Sequence, residues 1–113
     1  MNILETLLQT AYQDTQSLKA NDEKGDDFSV IRNIEFILNT DEKDKAGTVT
    51  KFINDHRYGE ATFEQIEAKY RISVIVNMPS SQHVVCSVSA LMACIATLFT
   101  VDYEGWVCAI QTA

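Results

Sequence analysis

The 113-residue sequence predicts an α+β fold, with a four-stranded antiparallel sheet, two helices on one face and an additional N-terminal helix. Three observations lead there. The stretches FSVIRNIEFIL and ISVIVNM are rich in β-branched residues and alternate with the period of strands. Three other stretches repeat their apolar residues at three- and four-residue steps, as amphipathic helices do. The two kinds of segment are interspersed along the chain. An apolar fraction of 46% with one Pro and four Gly excludes collagen-like and low-complexity chains. A chain this short is expected to form a single domain, residues 1–113, comprising an N-terminal helix at 1–20, an acidic linker at 21–27 and a core at 28–112.

In the first element, Leu4, Leu7, Leu8, Ala11 and Leu18 form a helical stripe that ends near Lys19. That stripe packs on its own domain or forms a coiled-coil seam. Strand one runs from Phe28 to Leu38 and turns Val30, Ile34, Phe36 and Leu38 inward. Thr40, ahead of Asp41 and Glu42, reads as the N-cap of a second helix. This helix buries Ala46, Val49, Phe52, Ile53 and His56, and Gly59 terminates it. Ala61 to Lys69 alternates weakly, as an edge strand does, and a turn follows around Tyr70 and Arg71. Ile72, Val74, Val76 and Met78 then line one side of a central strand that Pro79 stops.

Ser80 or Ser81 caps the third helix, whose core stripe is Val84, Val88, Leu91, Met92, Ile95, Leu98 and Phe99. Its far side carries the small residues Cys86, Ser89, Ala93, Ala96 and Thr97. A helix face without Glu or Lys calls for a cover, either the first helix or another polypeptide. Trp106 to Thr112 forms the last strand. After the first helix, this order of elements is a split βαββαβ unit, the ferredoxin-like arrangement.

Sixteen acidic against nine basic residues is the wrong sign for gripping phosphates, so no direct nucleic-acid partner is expected. Asp22, Glu23, Asp26 and Asp27 form one acidic cluster, and Asp41, Glu42 and Asp44 another. Such runs are solvated segments or docking surfaces for a basic partner. Cys86, Cys94 and Cys108 lack CxxC spacing and read as reduced thiols of a cytoplasmic protein. The start MNILETLLQT lacks the pattern of a secretory signal. Val84 to Phe99 carries no charge but falls short of the ~20 residues of a bilayer span. It reads as a buried helix, and no membrane partner is expected.

No catalytic constellation emerges. His56 and His83 sit near helix ends without a ligand pattern, so neither metal nor cofactor is expected. Ser87 and Ser89 lack a nucleophile elbow, and no glycine belongs to a phosphate loop. Glu35 beside Arg32 reads as an exposed cross-strand charge pair. The outward set Ile31, Asn33, Glu35, Ile37, Ser73, Ile75 and Asn77 has no aromatic residue for RNA stacking. With Val107 and Ala109 nearby, it reads instead as a sheet face that another apolar surface covers.

IRNIEFIL in strand one, ISVIVNMP before the third helix, and Val101, Asp102, Tyr103, Glu104, Gly105 and Trp106 before the last strand resemble the regulator of ribonuclease E activity B family of small acidic bacterial proteins. The resemblance runs from about Phe28 to Gln111. It implies a ferredoxin-like α+β fold and a non-catalytic regulator, not an enzyme, that binds the scaffold region of ribonuclease E and lowers its cleavage of RNA. An acidic protein meeting an Arg-rich scaffold is electrostatically sensible. Candidate protein-interaction residues are Tyr103, Glu104 and Trp106 at the turn, with Asp22, Glu23, Asp26 and Asp27 as electrostatic contacts. Alternatively, Gly105 serves only the turn and Trp106 only the core. The second functional reading is a small self-associating module, a homodimer formed through the sheet isoleucines or the small-residue helix face.

Overall fold

In a computed structural model that describes residues 2–27 and 29–108, the elements follow in the order α1 (Ile3–Glu23), β1 (Ile31–Thr40), α2 (Lys43–Asp55), β2 (Glu60–Ile66), β3 (Lys69–Pro79), α3 (Gln82–Phe99) and β4 (Asp102–Cys108). The four strands stand in the order β2-β3-β1-β4, and each neighbouring pair is antiparallel. Alternation along β1 turns Ile34, Phe36 and Leu38 to one side, opposite Val76, Val74 and Ile72 of β3. Ala46, Val49 and Ile53 of α2 and Val85, Met92 and Ile95 of α3 close over this row. Each aliphatic or aromatic side chain so buried contributes about 1.5–3 kcal/mol. The opposite side of the sheet carries no helix among the described residues.

α1 forms a third layer. It lies on Ser89, Ala93 and Ala96 of α3, so the small-residue face is covered from within the chain. The rotation of α1 differs from the one its leucines predict. Thr10, Asp14 and Leu18 face inward, whereas Leu4, Leu8 and Tyr12 are exposed. Small side chains on α3 permit close approach, and Asp14 finds an indole donor on β4 in this orientation. α3 is long and apolar enough to meet the criteria for a membrane span. Here it is the middle layer, between the sheet and α1.

Several local expectations are corrected. α1 continues through Asn21 to Glu23 into the segment expected to be linker. Val30 precedes β1 and is half-buried, and Arg32 takes the inward position instead. Phe28 and Ala109 to Thr112 lie outside the described residues. Thr40 is the last residue of β1, paired with Tyr70, because a further ladder pair outweighs capping. Glu42 takes the N-cap position, and its backbone N–H donates to Thr40 Oγ1 at 3.2 Å. His56 is exposed at the C-cap of α2. The β2–β3 turn falls at Glu67 and Ala68, with Glu67 at φ +57°, which places Tyr70 and Arg71 inside β3. In α3, Leu98 is 68% exposed, because it falls on the outward stripe with Ser87 and Cys94 while Phe99 takes the core position beside Phe52. β4 begins at Asp102 rather than Trp106.

Gly59 does not end α2. It sits where the chain crosses β3, and a Cβ there would lie 2.6 Å from Val74 Cγ1. A Cβ at Gly47, inside α2, would meet nothing closer than Phe63 Cε1 at 3.9 Å. Gly59→Ala is therefore expected to destabilise the protein by about 1–3 kcal/mol through overpacking. Gly47→Ala is expected to stabilise it by roughly 0.5–1 kcal/mol through helix propensity. Urea unfolding of the two variants checks this opposition of signs.

Candidate protein-interaction site

The segment Val101 to Trp106 folds as a β-bulge. Tyr103 stands opposite Leu38, Gly105 opposite Ile37 and Trp106 opposite Phe36, which leaves Glu104 as the extra residue. Gly105 has φ +104°, a conformation that side chains resist. In a regular strand, Tyr103 and Trp106 would point to opposite faces. The bulge turns both toward the helices. The Trp106 indole Nε1 donates to Asp14 Oδ1 at 3.0 Å, and the Tyr103 and Ser89 hydroxyls lie 2.7 Å apart. The two rings thus fasten α1 and α3 to the sheet edge, and of the three turn candidates only Glu104 is exposed.

Asp14 was not singled out in the sequence, where a carboxylate within a helix reads as solvated. Its Oδ2 is buried without a hydrogen-bond partner among the described residues. Burial raises the Asp14 carboxyl above its ordinary value, opposed in part by the nearby Ser89 hydroxyl and Trp106 indole. Burial likewise raises the Tyr103 phenol, with Ser89 opposing and the Asp14 charge adding to the rise.

The first acidic cluster divides. Asp22 and Glu23 are exposed on the last turn of α1. Asp26 is buried and forms an ion pair with Arg32 Nη1 at 2.6 Å. Arg32 also donates to the Asp27 carbonyl and, through Nε, to the Val30 carbonyl at 3.1 Å. Asp27 Oδ1 accepts from the Ser29 backbone N–H at 3.0 Å and its hydroxyl at 2.6 Å, which hold the Asp27 carboxyl below its usual range. Asp26 and Asp27 therefore tie the α1–β1 connection to the sheet and present no joint acidic patch with Asp22 and Glu23. Asp41, Glu42 and Asp44 remain exposed around the start of α2.

Because Arg32 faces the helices, it cannot pair with Glu35, which points to the open side. The register places Glu35 between Ile75 of β3 and Val107 of β4, with Glu60 of β2 beyond Ile75. Glu35 is half-buried and makes no ion pair among the described residues. The neighbouring rows present Ile37 beside Ser73 and Gly105, then Asn39 beside Arg71 and Asp102. Glu104, Asn39 and Arg71 line a cavity of about 330 Å³ below the β2–β3 turn. Ile31 and Val107 are 64% and 53% exposed. The expected outward residues from Ile31 to Asn77 do share this side, although Ala109 lies outside the described residues. The contributions of Glu60, Glu64 and Asp102 were not legible, since they depend on strand order and register.

Fold and surface define the class, a small acidic α+β protein with helices layered on one side of an antiparallel sheet and, among the described residues, an apolar, anionic sheet face left bare. Comparison with protein-family models matches residues 11–108 to the family described as Regulator of ribonuclease activity B, RraB, and the chain belongs to that family. Among curated proteins, no match is found. The described residues contain no cluster of His, Cys, Asp and Glu that could hold a metal ion.

Two measurements test the buried acids. Asp26→Ala strands Arg32 and is expected to lower unfolding free energy by about 3–5 kcal/mol in denaturant titration. For Asp14 the folded value lies above the ordinary 3.8, so the folded state holds the proton more tightly than the unfolded chain. Its contribution to stability is present below 3.8 and is lost as pH rises through the folded value. Asp14→Asn, which keeps an acceptor for Trp106, is expected to melt at a higher temperature than the wild type at pH 7 and to lose that acid-side gain. Equal melting temperatures at pH 7 would contradict the assignment.

Proposed function

We propose that this protein is a non-catalytic cytoplasmic regulator that binds the scaffold region of ribonuclease E and lowers its cleavage of RNA. Family membership supports regulation of a ribonuclease. The strand order β2-β3-β1-β4 fits the ferredoxin-like arrangement expected of such a protein. The observation that carries the reading is the character of the open sheet face. Where an RNA-recognition domain would offer aromatic rings and cations, this face offers Ile37, Ile75 and Glu35. A protein partner fits that surface and a phosphate backbone does not. The free cysteines Cys86, Cys94 and Cys108 agree with a reducing compartment. Among the turn and acidic-cluster residues, the exposure of Glu104, Asp22 and Glu23 supports these three as direct contacts. Tyr103, Trp106, Asp26 and Asp27 support the scaffold that presents them.

Binding of a purified ribonuclease E scaffold fragment at moderate salt, together with slower cleavage of an RNA substrate by the intact enzyme, is the expected outcome. Affinity is expected to fall as salt rises, because attraction between opposite charges steers and holds the complex and salt screens it. No retention even at low salt would reject the reading. A second reading, self-association, is favoured by Leu4, Leu8 and Tyr12, exposed in one line along α1. Light scattering that shows a strict monomer at high concentration would remove it.

A further inference from the structure

We propose that the open face of the sheet, centred on Glu35, is the docking surface for a helical protein segment in which arginine or lysine alternates with apolar side chains along one face. The proposal rests on the reading above for the identity of the partner, and on the structure for the surface and its chemistry. Glu35 is the central observation. It is a half-buried carboxylate without an ion-pair partner among the described residues, set between the aliphatic side chains of Ile75 and Val107. A charge so placed is partly dehydrated, and a cation brought to it gains more than at an exposed rim.

Across the sheet, the row Glu60, Ile75, Glu35, Val107 alternates anion and aliphatic, one residue per strand. Strands lie ~4.8 Å apart, so the face repeats its charge at roughly 10 Å with an apolar site between. A helical segment with cations seven residues apart, about 10.5 Å along its axis, and an apolar side chain between them on the same face matches that spacing. Glu64 and Asp102 extend the negative field toward one end of the face, where Arg71 and, one row further, Lys69 oppose it, while Arg57 lines the rim beside Glu60.

Charge decides among occupants. A second copy laid face to face would bring Glu35, Glu60 and Glu64 against carboxylates of their own kind, and an anionic lipid surface or RNA would meet the same repulsion. The face is also separate from the α1 stripe of Leu4, Leu8 and Tyr12. α1 covers α3, which lies on the sheet's other side.

Two measurements test the surface. In the first, isotope-labelled protein is titrated with a synthetic helical peptide whose arginines, seven residues apart, alternate with leucines along one face, and backbone amide shifts are followed. Shifts concentrated at Ile31, Glu35, Ile75 and Val107 are expected. Shifts confined to α1, or none, would overturn the proposal whatever the ribonuclease result. In the second, a ribonuclease E scaffold fragment is bound to the wild type, Glu35→Gln, Glu35→Lys and Leu8→Glu, each checked for an unchanged melting profile. Affinity is expected to fall severalfold for Glu35→Gln with a shallower salt dependence, and about tenfold or more for Glu35→Lys. Leu8→Glu is expected to bind as the wild type does. Undiminished binding by Glu35→Lys would sink the docking surface and leave the ribonuclease reading intact. A wild type that shifts with the peptide on this face yet ignores the scaffold fragment would sink the ribonuclease reading and leave the surface intact.

Discussion

The bulge at Glu104 and Gly105 sets the relation between the two sides of this molecule. One extra residue in β4 turns Tyr103 and Trp106 to the same side, where a regular strand would divide them. Their hydroxyl and indole then reach Ser89 of α3 and Asp14 of α1. Three layers are joined at one point by two polar contacts, and Glu104 is left facing outward. Glycine is required because its φ of +104° is a conformation in which a Cβ would be strained, although nothing lies near enough to clash with one.

Polarity follows a similar division. Between sheet and helices, the buried charged groups among the described residues are Asp14, Asp26 and Arg32, and Arg32 and Asp26 neutralise one another beside Ser80. Such a pair is a constraint more than a source of stability, since dehydrating both charges offsets most of their attraction. Its effect is positional. Arg32 is held inward, the chain from α1 is anchored to β1, and Glu35 is left without the neighbour its sequence position offers. A half-buried anion between aliphatic side chains is thereby retained on the surface, a condition that a basic partner relieves.

Much of the architecture was legible in the sequence. The alternation of Ile34, Phe36 and Leu38 and of Ile72, Val74 and Met78 located the two central strands, and the weaker alternation after Ala61 marked an edge. The small residues Ser89, Ala93 and Ala96 announced that α3 needed a cover, and the motif from Val101 to Trp106 pointed to the family. These features are local. Side-chain period, residue size and short ordered motifs survive in a linear string because each depends on residues a few positions apart.

What only the tertiary structure decided involves partners far apart in sequence. The rotation of α1 was set by Asp14 and Trp106, 92 residues apart, so the leucines that looked inward are exposed and a carboxylate that looked solvated is buried. The interior role of Asp26 depended on where Arg32 pointed. The anionic row across the sheet depended on the register that brings Glu60, Ile75, Glu35 and Val107 side by side. Burial and pairing are properties of the assembled chain, because the free energy of a charge depends on which atoms replace its water. Sequence fixes the composition of those atoms, and only folding selects which of them become neighbours.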